Sequence, residues 1–109
     1  MSAGANPARG EAVLVIAGET VKLRPSFEAL VAAEEELGPL FALIERAAAG
    51  GLKVAEMAAL FWHCAESRPI GLTRAWIGEG IAEQGLAGVT PVLKILLGQI
   101  LQGGSTNSP

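Results

Sequence analysis

The chain has no tyrosine and no aspartate, one cysteine and one histidine among 109 residues. Each scarcity excludes something. A lone Cys64 cannot form an intramolecular disulfide, which suits a reducing compartment. A zinc site needs about four Cys, His or carboxylate ligands at suitable spacing. His63 and Cys64 are adjacent, and neighbours on a helix point away from each other. The pair reads as a buried thiol beside a boundary histidine, and no metal or cofactor is expected. Acid–base chemistry would rest on glutamate alone. Glu34-Glu35-Glu36 and the i, i+4 pair Glu79 and Glu83 read as solvated helix faces, so an enzyme is not expected.

Positive charge is also thin. Eight Lys and Arg face eleven acidic residues, for a net charge of −3, and the basic residues are scattered. No basic stripe forms, which argues against nucleic acid as the main partner. A helix-turn-helix reading of the third and fourth helices fails on the same ground, because the would-be recognition helix offers only Arg74. No apolar run reaches the roughly 20 residues of a membrane span. The best stretch, Val89 to Leu101, is shorter and is interrupted by Lys94, Gly98 and Gln99. Residues 1–10 hold no apolar segment, so no secretory signal is expected and the chain reads as cytosolic and soluble. Gly50-Gly51 and Gly103-Gly104 lack the strand–glycine–helix setting of a phosphate loop and read as helix stops.

What the chain does have is apolar surface. Half its residues are hydrophobic, enough for one core in one domain. The expected layout is a flexible arm at 1–10, a single α+β domain at 11–102 and a disordered tail at 103–109. The domain should be an N-terminal β-hairpin followed by a bundle of four to five short helices. Ala12 to Ala17 is β-branched and apolar. Gly18-Glu19 suits a two-residue type II′ turn, and Thr20 to Arg24 alternates. Val13 and Val15 lie on one face of the first strand and Leu14 and Ile16 on the other, so both faces should be covered. Val21 and Leu23 should point inward.

Ser26 should cap the first helix, with Phe27, Leu30, Val31 and Leu37 as its buried stripe. Gly38 should stop it and Pro39 start the next, whose stripe is Leu40, Leu43, Ile44 and Ala47. The third helix, about Lys53 to Glu66, carries Val54, Met57, Ala58, Phe61 and Ala65 at helical spacing, with Leu60 and Trp62 widening the arc. Thr73 should cap a fourth helix that Gly78 and Gly80 leave short, bent or mobile. Thr90 and Pro91 should open a fifth. That helix is apolar around most of its circumference, so it should be central or should contact a second molecule. The surplus points to a protein–protein surface. Its candidate residues are Trp62, Val92, Ile95, Leu96 and Ile100, with the hairpin edge at Val13 and Val15 as a second docking mode by strand addition.

One pattern goes further. Asn6-Pro7-x-Arg9-Gly10-Glu11, the apolar strand, Gly18, Leu23-Arg24-x-Ser26-Phe27-x-Ala29-Leu30, then Glu34 and Glu35 before Leu37-Gly38, resembles the opening of the gene transfer agent tail family. That family is grouped with tail assembly chaperones of long-tailed phages and prophages. The likeness runs over about residues 6–103. It implies tail morphogenesis by protein binding, with a tape-measure or tail tube protein as partner and a homo-oligomer as another assembly. A chaperone is the first expectation. A structural subunit retained in the particle is the alternative, and a small regulatory or DNA-binding helical domain a more distant one.

Overall fold

The structure is a computed structural model, and it describes residues 12–103. The expected arm at 1–10 and all but the first residue of the expected tail lie outside that range. The expected α+β class is found: an N-terminal two-stranded antiparallel hairpin followed by five helices.

Strand β1 (Ala12–Ile16) pairs with β2 (Glu19–Leu23) in the register Leu14↔Val21, closed by Ile16↔Glu19. The turn is therefore Ala17-Gly18, one residue earlier than expected. Both residues have positive φ, 52° and 79°, the signature of type I′ rather than type II′. Ala12, Leu14, Ile16, Val21 and Leu23 form one buried face. The other face is not covered as expected: Val13 is half-buried, and Val15 is 50% exposed. Two strands cannot hold an apolar face dry alone, and α4 and α5 pack against β1 to do so.

Helix α1 (Phe27–Leu37) starts at Ser26, whose hydroxyl accepts from the Ala29 N–H at 3.2 Å. Its buried residues are Ala29 and Ala33, not the expected stripe of larger side chains. Leu30 and Leu37 are half-buried, Val31 is exposed, and Phe27 is 82% exposed. Two alanines let α1 approach α3 closely, and that choice of face turns Phe27 outward. Gly38, at φ 89°, ends α1, and α2 (Leu40–Ala48) follows with Leu43 buried.

The central element is α3 (Val54–Cys64). Met57, Ala58, Ala59, Leu60, Phe61 and Cys64 are all buried, so its apolar residues are covered almost all round. Its first turn is fixed by Glu56, which accepts from the Lys53 N–H at 2.9 Å and from both terminal nitrogens of Arg46 at 2.8 Å. This bidentate pair ties α2 to α3, and it holds the Glu56 carboxyl down at about 2. Beyond α3 the chain pairs briefly with β2. The Arg24 N–H donates to the Cys64 carbonyl at 2.7 Å, and the Glu66 N–H to the Lys22 carbonyl at 2.8 Å.

Helix α4 (Arg74–Gln84) is capped by Thr73, which accepts from the Trp76 N–H at 3.1 Å. It runs 11 residues without a break, so its glycines do not make it short. Gly80 lies against β1, where a Cβ would fall 2.1 Å from Ile16 Cγ2. The glycine is there for close packing. Helix α5 (Leu86–Gln102) begins a turn earlier than expected, so Pro91 sits inside it. Thr90 is not a cap. Its hydroxyl donates to the Leu86 carbonyl at 2.7 Å. Val89 and Leu96 are buried, and Val92, Leu93, Leu97 and Ile100 pack against the core. This is one stripe of a peripheral helix, so α3 and not α5 occupies the centre.

Candidate protein-contact surfaces

Three surfaces merit description, and they collect the residues expected to bind a partner. The first is polar. Glu36 on α1, His63 on α3 and Arg74 on α4 meet where the three helices converge. Arg74 and His63 Nε2 both contact the Glu36 carboxylate, the latter at 2.8 Å. The carboxylate accepts from His63 when Nε2 carries the ring proton, and Arg74 Nη2 stands 3.3 Å from the same nitrogen. Arg74 and then His63 hold the Glu36 carboxyl below the usual carboxylate range. Trp62 lies beside them, with the guanidinium of Arg68 at 4.3 Å and that of Arg74 at 4.6 Å from its ring centre. The ring engages cations of its own chain, which leaves Trp62 a poor apolar anchor. Cys64 points the other way into the core, where burial pushes its thiol up to about 12. Among the described residues, no group of three or more His, Cys, Asp or Glu side chains could hold a metal ion.

The second surface is the sheet edge. The two-residue turn makes Ile16↔Glu19 and Leu14↔Val21 the hydrogen-bonded pairs, so the backbone groups of Val13 and Val15 face outward. The Gln84 side-chain amide donates to the Val15 carbonyl, which covers part of this edge. On the opposite edge, residues 64–66 take Arg24 and Lys22. The Thr20 backbone is left to solvent beside a cleft of about 680 Å³ walled by Pro69, Leu72 and Trp76. Less of the hairpin edge is free than the sequence suggests, and Val15 is the more exposed of its two valines.

The third surface is α5 with its neighbours. The structure separates the expected residues. Leu96 is 0% exposed and belongs to the core. Val92 and Ile100 pack against that core, and Ile95 alone stands exposed. Beside α5 runs an open apolar groove of about 470 Å³. Ile44, Ala47, Leu52 and Met57 line one side, and Leu86, Leu93 and Leu97 the other. Lys94 is the only charged residue in its wall.

Sequence reasoning missed the most exposed apolar side chains, Phe27, Phe41 and Ile70. For Phe27 a signal was present. Ala29 and Ala33 also follow helical spacing and define a second possible buried face, and a first-turn aromatic beside a small-residue face can turn outward.

No helix among the described residues is long and apolar enough to cross a membrane. Neither the curated proteins nor the solved structures contain a match to the chain. A family model does match, over residues 9–103, a span that holds both strands and all five helices. The exposed apolar side chains and the tail resemblance of the N-terminal residues meet in that result: the chain belongs to the family described as phage tail tube protein, GTA-gp10.

Proposed function

We propose that this protein is a structural subunit of a phage-type tail, retained in the particle and held there by contacts with other proteins. The observation that carries the reading is the family match, which takes in the whole described fold and names the tube itself. The surface supports it. Phe27, Phe41, Ile70 and Ile95 are large apolar groups that a free monomer gains nothing by exposing. Such groups also suit a tail assembly chaperone, which would hold a tape-measure or tube protein before assembly and then leave. The family description favours the retained subunit over that role. The two differ in stoichiometry. Quantitative mass spectrometry of purified particles should find this chain in many copies per particle, at a fixed ratio to the other tail proteins. Absence from particles, together with co-purification with an unassembled tail protein from lysates, would overturn the subunit reading in favour of the chaperone.

A further inference from the structure

The outer face of α1 and the α2–α5 groove match in apolar character and are opposite in charge. Phe27 and Val31 stand one turn apart on α1, and Glu34 and Glu35 continue the same stripe. Glu28 flanks it. This is two apolar anchors at i and i+4 followed by exposed carboxylates, the pattern by which a helix face seats in an apolar groove. The groove offers the reverse. Its wall is apolar, it holds no acidic residue, and its one charge is Lys94, which makes no ion pair among the described residues. The two patches share no residue, so a chain carries both at once.

We propose that the Phe27–Val31 face of α1 docks into the α2–α5 groove of a second copy of this chain. Because the contact joins two different patches, it is head-to-tail. Repetition yields a ring if the rotation closes and a filament if it does not. Burial of Phe27 and Val31 supplies the attraction. Lys94 against Glu34 and Glu35 sets the orientation, since exposed ion pairs contribute specificity more than affinity. The biological setting of this contact rests on the structural-subunit reading, but the contact itself does not.

The test is sedimentation velocity of the purified chain over a range of concentrations. The wild type should self-associate. Phe27→Ser with Val31→Ser should weaken association about tenfold or more. Both positions are exposed, so the variant should keep its far-UV circular dichroism. Leu86→Glu with Lys94→Glu should do the same from the groove side. Mixing the two double variants is decisive. One retains a groove and the other a docking face, so they should form a one-to-one dimer and go no further. A monomeric wild type at high micromolar concentration, or association unchanged by both double variants, overturns the contact. So does a mixture that stays monomeric. Those results leave the particle-composition experiment untouched, so failure of the contact and failure of the tail reading are distinguishable.

Discussion

Replacing a helical glycine with alanine ordinarily stabilises a helix by about 1 kcal/mol. Gly80→Ala should do the opposite here. The new Cβ would lie 2.1 Å from Ile16 Cγ2, 3.1 Å from Cγ1 and 3.2 Å from Cβ. Ile16 is fully buried and sits in β1, paired with Glu19, so neither its side chain nor its backbone can retreat freely. Overpacking of this kind costs about 1–3 kcal/mol, and a 2.1 Å approach belongs at the upper end. Set against the helix gain, the expected net loss is about 2 kcal/mol. For a domain near 100 residues that lowers the melting temperature by roughly 10 °C. Gly78→Ala is the internal control. Its Cβ would meet only the Ala58 Cβ at 3.8 Å, so it should stabilise by about 0.5–1 kcal/mol. Urea unfolding followed by circular dichroism measures both. A double-mutant cycle with Ile16→Ala, which removes the two nearest atoms, should show coupling of about 1–2 kcal/mol in favour of the double variant. A Gly80→Ala protein as stable as the wild type would refute the argument that α4 needs this glycine to reach the sheet.

Two further outcomes are expected. Ala17 occupies a left-handed conformation that strains a Cβ. Ala17→Asn, which fits the first position of a type I′ turn, should raise unfolding stability by about 0.5–1 kcal/mol in chemical denaturation, and a lower stability would contradict the turn assignment. The Arg46–Glu56 pair should make stability depend on pH. The folded Glu56 carboxyl lies at about 2 against an ordinary 4.5. Its contribution is therefore complete above about 4.5 and is lost as pH falls toward 2. Arg46 is partly in water, so solvent screening makes this contribution much smaller than the shift alone implies. Glu56→Gln should be less stable than the wild type at neutral pH and show a flatter acid limb in urea unfolding. Equal acid sensitivity in both proteins would count against it.

Much of the fold was legible because it is written locally. Ser26 and Thr73 announce helix starts, Gly38 and Gly85 announce stops, and Val21 and Leu23 alternate cleanly. What escaped depends on partners distant in the chain. Which face of α1 is buried is decided by how closely α3 can approach two alanines. The role of Gly80 is decided by Ile16, which is far away in sequence. Helix α5 looked central because its apolar residues fill most of its circumference. Only the packing shows that Leu96 faces inward and Ile95 outward. The contact surface was legible as a quantity, a surplus of apolar residues, and not as a location. Of its most exposed members, Phe27 and Phe41 stood at helix starts, where periodicity is weakest, and Ile70 in the turn before α4.

The short pairing of residues 64–66 with β2 has a consequence for how the domain forms. It joins the second strand to a segment about forty residues further along, so the loop it closes contains α1, α2 and α3. The hairpin is made first during synthesis, yet a two-stranded ribbon alone is marginal. Its last hydrogen bonds wait until three helices have been made and have docked. Closing so long a loop is slow relative to helix formation. The rate-limiting step should then be the joint arrival of α3 and its trailing residues at the sheet edge. Until that moment the β2 edge is open, and any other extended segment, including one from a neighbouring copy, competes for it.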